Sequence, residues 1–455
     1  MSVSQQIFRQ YDVRGVIGRD LTPQVAHALG RGFAAYLAAH DVRGAVAVGR
    51  DNRPSGAALR DSLVRALRES GVDVIDIGVV PTPLLYWSLH RLPVAAGIQI
   101  TGSHNPPEYN GFKLCVGTAS LHGDEIQQLY RLILAGRFPA GSGEVREESV
   151  IARYVDDIAA RIGRLSRPLR VVADCGNGVG ALVAPQLLDR LGATWTGLYC
   201  ESDGTFPHHH PDPTVVANLQ DLIAAVRAQR ADLGIAFDGD ADRIGVVDER
   251  GEIVWGDHVL ILYARDVLAR TGKGQPIIFD VKCSQALPEA IERAGGRPVM
   301  WKTGHSLIKE KMKEMRAPLA GEMSGHMFFT EGFYGHDDAL YGAARLLRII
   351  ADAGTSVSAL LADVPHYVST PELRIDCPDD LKFGVVERAV RHFRAAHDVI
   401  DVDGVRVLFG DGWGLLRASN TQPVLVMRVE ARTPERVRAI RGEMEQWLRD
   451  QGVTV

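Results

Sequence analysis

Asp238, Asp240 and Asp242 stand at alternate positions in Asp238-Gly239-Asp240-Ala241-Asp242-Arg243, directly after the apolar run Leu233-Gly234-Ile235-Ala236-Phe237. Three like charges this close repel one another, and a divalent cation is the usual reason to tolerate them. Their hard oxygens favour Mg²⁺, which keeps positions open for water or a phosphate oxygen. Arg243 adds a planar fork suited to phosphate. A bland alternative is a solvated acidic turn, but the preceding strand pattern places the acids at a sheet end. An EF-hand fits less well, because Gly239 stands second, Glu249 reaches the twelfth position only by coincidence, and strands flank the loop.

Three further stretches have polar chemistry of their own. The run 94–100 delivers Thr101-Gly102-Ser103-His104-Asn105-Pro106, which presents one serine hydroxyl among donors and is read as exposed. Such a serine can carry or transfer a group; taken alone, Ser103 and Asn105 could equally bond their own backbone. Gly321-Glu322-Met323-Ser324-Gly325-His326 alternates an acceptor, a hydroxyl and an imidazole that titrates near neutrality, a set suited to a sugar ring. Arg417-Ala418-Ser419-Asn420-Thr421 offers a guanidinium and short polar side chains that can cradle a phosphate. By itself Lys113 reads as a snorkelling surface lysine, and Lys302-Thr303-Gly304-His305 as a loop. The run His208-His209-His210, set between prolines, carries no metal expectation.

The elements that must position these loops recur. Thr22 caps and Pro23 opens a helix with Val25, Leu29, Phe33 and Leu37 on one face. A strand at 45–48 ends in Gly49-Arg50-Asp51, Ser55 is expected to cap the next helix, and Gly71 to close it. A strand over 72–77, a helix near 84–89 and the strand before Ser103 complete the pass. The order repeats from 170, with a helix predicted over 215–228, and again from 276, each time finishing in a strand and a polar loop. Strands alternating with helices predict helix-covered sheets whose carboxyl ends gather ligands. The tail after Pro365 reads as an antiparallel α+β unit, with Asp403-Gly404 as a type I′ hairpin signal. The fold class expected is therefore α/β, with three related units of mixed or parallel sheets and a C-terminal α+β domain. The boundaries predicted are 1–145, 146–250, 251–365 and 366–455.

With 455 residues the chain is too long for one core, and its hydrophobic content of 46% is that of a globular protein. A net charge of −5 gives no overall field favouring nucleic acid or an anionic membrane. No long apolar run or leader pattern follows Met1, so a cytoplasmic protein without membrane span is expected. The five cysteines, scattered and without CxxC spacing, read as reduced thiols.

All four loops, in this order, resemble the α-D-phosphohexomutases, with a phosphoserine loop, a DGDxDR metal loop, a GEMSGH sugar loop and a C-terminal phosphate loop. The resemblance runs from Tyr11-Asp12-Val13-Arg14-Gly15 to the tail and is nearest to the bacterial phosphomannomutase/phosphoglucomutase enzymes. It implies four domains in a heart shape around a central cleft. It further implies an enzyme that moves a phosphoryl group between O1 and O6 of glucose or mannose phosphates through hexose 1,6-bisphosphate. By the same resemblance Ser103 is held as phosphoserine and completes a Mg²⁺ shell with Asp238, Asp240 and Asp242. Lys113 and His326 become acid and base candidates, with Arg243 and Arg14 at the reacting phosphate. Tyr11, Lys302, His305, Glu322, Ser324, Arg417, Ser419, Asn420 and Thr421 would bind substrate. The expected partners are small sugar phosphates, with no nucleic acid or membrane, and the expected state is a monomer. Competing readings are a phosphoglucosamine mutase, which usually has glutamine where Met323 stands, a non-catalytic sugar-phosphate sensor, and a Mg²⁺-dependent phosphatase acting through Ser103.

Overall fold

The computed structural model describes residues 3–419 and 423–455. Four sheets follow one another along the chain. The first has the order Val13–Val16, Tyr109–Val116, Val94–Ile100, Ala45–Arg50, Val74–Val79, Val145–Glu147, with Ala119–Ser120 beside Tyr109–Val116. The second runs Ile253–Val254, Ile244–Asp248, Leu233–Phe237, Arg170–Asp174, Thr194–Leu198, and the third Arg297–Trp301, Pro276–Asp280, Leu319–Gly321, Met327–Phe329. The fourth is antiparallel, with Val368–Ser369, Val424–Ala431, Gly412–Ala418, Val405–Leu408 and Asp398–Ile400, and with Leu373–Asp376 also on Val424–Ala431.

The first three sheets are mixed, and the switch from parallel to antiparallel pairing falls at the same place in each. The strand that enters a chemical loop is answered by an antiparallel strand leaving it: Val94–Ile100 by Tyr109–Val116, Leu233–Phe237 by Ile244–Asp248, Leu319–Gly321 by Met327–Phe329. The fourth loop likewise joins Gly412–Ala418 to Val424–Ala431. Each loop is thus a connection between bonded neighbours, anchored on both sides by a ladder.

Apolar patterning explains how the units hold together. One buried core runs from Ala47 and Ile75 through Tyr154, Val171 and Leu233 to Leu260, Phe279 and Leu347, so the first three units share it. The tail has a core of its own, including Val405, Leu416, Met427, Ile440 and Leu448.

Several local expectations are corrected. Ser55 has helical backbone angles and caps nothing; its hydroxyl instead accepts a hydrogen bond from Asn110. The helix expected over 215–228 begins at Gln220, after a 3₁₀ turn at Val216–Leu219. Asp403-Gly404 is no type I′ turn: Ile400 pairs with Arg406, leaving a longer loop in which only Gly404 has positive φ, 85°. Thr22 does cap Pro23–Ala39, accepting from the Val25 amide at 3.3 Å.

Candidate active site

Ser103 is buried rather than exposed, at 4% accessibility, and its φ of 49° is unusual for a residue with a side chain. A buried arginine holds it there. Arg53 donates to the carbonyls of Ser103, Asn105, Pro106 and Tyr109 at 2.5–3.0 Å, and so ties both flanks of the loop. Asp51 balances that charge at 3.3 Å and accepts from the Gly102 amide at 3.0 Å. Glycine is required at 102, because a Cβ there would lie 2.4 Å from the Arg53 guanidinium. Nothing in Asp51-Asn52-Arg53 beyond its position at a strand end marks this clamp in the sequence.

Ser103 Oγ donates to Asp238 Oδ2 at 3.0 Å and lies 3.0 Å from His104 Nδ1. The Ser103 and acidic loops are therefore in direct contact. A Cβ on Gly239 would sit 2.4 Å from the Ser103 carbonyl, so only glycine permits the approach. Lys113, far from a surface lysine, is buried with Nζ 3.1 Å from Asp240 Oδ2 and bonded to Asp242 Oδ2. Burial and repulsion by Asp242 and Asp240 push Asp238 well above the carboxylate range. Burial would also raise Asp240, but Lys113 and the hydroxyls of Thr82, at 2.5 Å, and Ser103 outweigh it and hold Asp240 low. Asp240 and Asp242, with Asp337, overcome burial to keep Lys113 protonated.

The donor set fits a hard cation. One oxygen from each of Asp238, Asp240 and Asp242 lies within 4.8 Å of the others, and Asp240 Oδ1 and Asp242 Oδ1 are buried without a hydrogen-bond partner among the described residues. A divalent ion would satisfy both oxygens and relieve the repulsion that raises Asp238.

The loop from Gly321 to His326 joins from the other side. Arg243 Nε donates to His326 Nε2 at 3.0 Å, which places the imidazole proton on Nδ1, 3.4 Å from Asp337 Oδ2 and 3.7 Å from Asp242 Oδ1. Glu322 accepts from the Gly304 amide at 2.5 Å and from Ser324 at 3.2 Å. His305 lies 3.7 Å from Asp337, and burial, reinforced by Lys309, keeps it neutral. Tyr11 donates to the Thr303 carbonyl at 2.8 Å, and Arg14 bridges Asn105 and Asp12, each at 2.6 Å. Lys302 is exposed, beside these groups.

The fourth loop approaches through Asp403, which accepts from Arg417 Nε at 3.0 Å and from the Thr303 amide at 3.1 Å. The Ser419 carbonyl accepts from Lys382. Asn420 and Thr421 lie outside the described residues. Sequence reasoning passed over Lys282, a buried ammonium 3.5 Å from Glu372 whose charge is felt by Glu322 and Arg417, and over Asp337. The histidine run proves to be a buttress: His209 meets Asp174 at 3.1 Å, His208 meets Asn177 at 2.8 Å, and His210 donates to the His104 carbonyl.

Four family models cover nearly all of this architecture. They are described as phosphoglucomutase/phosphomannomutase alpha/beta/alpha domain I over residues 5–140, domain II over 152–251, domain III over 255–367, and the C-terminal domain over 372–446. The chain belongs to the phosphoglucomutase/phosphomannomutase family. A phosphomannomutase/phosphoglucomutase of Pseudomonas aeruginosa is 48% identical, with 96% of this chain and 94% of the relative aligned. A phosphoglucomutase of Neisseria gonorrhoeae is 44% identical, over 98% and 97%. The crystal structure of a phosphoglucomutase/phosphomannomutase family protein from Burkholderia thailandensis superposes with a TM-score of 0.92 at 44% identity, over 99% of this chain and 98% of that one. The four-unit α/β arrangement with mixed sheets is thus that of the family. No described helix is long and apolar enough to cross a membrane.

Proposed function

We propose that the protein is a phosphohexomutase that interconverts hexose 1-phosphates and hexose 6-phosphates of glucose and mannose, with Ser103 as the phosphoryl carrier. The observation that carries this reading is the bond from Ser103 Oγ to Asp238, which sets a hydroxyl at the head of a three-aspartate cluster. A hydroxyl of the bound sugar monophosphate attacks the phosphoserine phosphorus. Its O–P bond forms as the Ser103 Oγ–P bond breaks, its proton passes to His326 Nε2 once Arg243, which donates to that nitrogen in the resting site, turns to the reacting phosphate, and Lys113, held as an ammonium, protonates Oγ. The resulting hexose 1,6-bisphosphate turns over, its other phosphate returns to Oγ, and the isomeric monophosphate leaves. Mg²⁺ held by Asp238, Asp240 and Asp242 would neutralise charge on the transferring group.

Arg243 and Arg14 flank the reacting phosphate. Glu322 and Ser324 grip O3 and O4, which glucose and mannose share, so the epimers are expected to turn over at comparable rates. Arg417 and Ser419, with Asn420 and Thr421, take the phosphate that is not being transferred; Tyr11, Lys302 and His305 line the space between. Such a second phosphate cradle has no use in a phosphatase, and Met323 stands where phosphoglucosamine mutases usually have glutamine, which disfavours the 2-amino analogue.

The test is Ser103→Ala. Conversion of glucose 1-phosphate and mannose 1-phosphate is expected to fall by at least about 10³-fold, with loss of the phosphopeptide spanning residue 103 from the intact protein. Isomerisation at the wild-type rate would overturn the assignment.

A further inference from the structure

Cys175 follows the strand Arg170–Asp174 and Cys200 lies two residues beyond Thr194–Leu198, its parallel neighbour. The Cys175 amide donates to the Leu198 carbonyl at 3.0 Å, which fixes the two strand ends together. Their Sγ atoms are 2.8 Å apart, inside ordinary van der Waals contact between sulfurs. Both are free thiols. They differ in access, since Cys175 is fully buried and Cys200 is half-buried. They also differ in acidity: the hydrogen bond between them lowers Cys200 and, with burial, raises Cys175. A reachable thiol of thiolate character beside a buried partner is the arrangement in which an oxidised sulfur is resolved by its neighbour.

We propose that Cys200 and Cys175 are a peroxide-reactive pair that closes to a reversible disulfide beneath the phosphoserine loop. The Cys200 thiolate attacks one oxygen of hydrogen peroxide, forming an S–O bond as the O–O bond breaks and hydroxide leaves. The Cys175 sulfur then attacks the sulfenic sulfur; the S–S bond forms, the S–O bond breaks, and the oxygen leaves as water with the Cys175 proton. Overall two thiols and one peroxide give one disulfide and two waters. The crosslink lies inside the support of Ser103. Asp174, beside Cys175, accepts from His209, and Asn177 accepts through its carbonyl from Asn52, between the clamp residues Asp51 and Arg53. This site is independent of the mutase reading.

The test uses the full-length protein. After brief exposure to hydrogen peroxide and alkylation under denaturing conditions, peptide mapping is expected to give one species joining the Cys175 and Cys200 peptides. That species is two hydrogens lighter than the reduced pair and is reversed by dithiothreitol, while the buried Cys115, Cys283 and Cys377 are alkylated in full. In Cys175→Ser, Cys200 is expected to stop at a sulfenic acid trapped by dimedone. Full alkylation of both residues in the peroxide-treated wild type, or a crosslink that pairs either with another cysteine, would overturn the proposal without need of the variant.

Discussion

At 3.1 Å from Asp240 Oδ2, the Lys113 ammonium gives one positive charge to three buried carboxylates. Replacing it with the isosteric but neutral methionine leaves those acids uncompensated, a change that in buried pairs costs roughly 3–5 kcal/mol. Lys113→Met is therefore expected to melt well below the wild type in EDTA. Added Mg²⁺ should recover more of that loss than it adds to the wild type, because the ion then supplies the charge that Lys113 gave. Equal shifts with Mg²⁺ in differential scanning calorimetry would contradict this electrostatic coupling. At this scale the sequence was legible wherever chemistry repeats within a few residues: the alternating aspartates and the Ser103 turn announce themselves. Arg53 did not, because its partners are backbone carbonyls some fifty residues away, and an arginine at a strand end looks like any solvated one. Asp337 was missed for the same reason, since its histidine and lysine neighbours come from other elements.

Asp338 shows how one helix end can set a pH response. Its carboxylate caps Ala339–Ala353, accepting from the Tyr341 amide at 2.8 Å, and takes the Tyr154 hydroxyl at 2.8 Å. Burial, with lesser repulsion from Asp337, pushes it up from 3.8 to about 7. A carboxyl raised on folding stabilises the fold fully below its unfolded value, and that contribution is lost as pH rises through the folded value. Between pH 4 and 7 this group therefore works against stability as pH increases, by a few kcal/mol at most. Asp338→Asn, uncharged throughout, is expected to remove that slope: relative to the wild type it should gain stability from pH 5 to pH 8 in urea melts. A difference constant across that range would refute it. Apolar periodicity disclosed the helices and the incoming strands, Val94–Ile100 and Leu233–Phe237, at the ends the structure shows. The antiparallel strands that leave the first three loops were not disclosed. Tyr109–Val116 carries Asn110, Gly111 and Lys113 in the very positions where a strand pattern would show apolar residues, since that strand belongs to the site.

On the scale of the molecule, the apolar core shared by the first three units makes them one body, whereas the tail, with a core of its own, docks chiefly through polar contacts. Arg406, fully buried, donates to the carbonyls of Val281 and Cys283 at 2.8 and 2.7 Å and stacks on Trp413 at 3.7 Å. Glu430 accepts from the Gln285 amide at 2.8 Å, and a small apolar cluster of Val281, Trp413 and Leu415 sits beside it. A narrow seat of this kind, centred on residues 281–285, can act as a pivot while Arg417 at the far loop swings toward a sugar phosphate. Arg406→Met would leave two buried carbonyls unsatisfied at the seat without touching either core. Melting is then expected to separate into two steps, with the tail lost first, and the KM for glucose 1-phosphate to rise about tenfold, which corresponds to about 1.4 kcal/mol of docking energy drawn into binding. A single cooperative transition at the wild-type temperature, with KM unchanged, would mean that the tail is held by something other than this arginine.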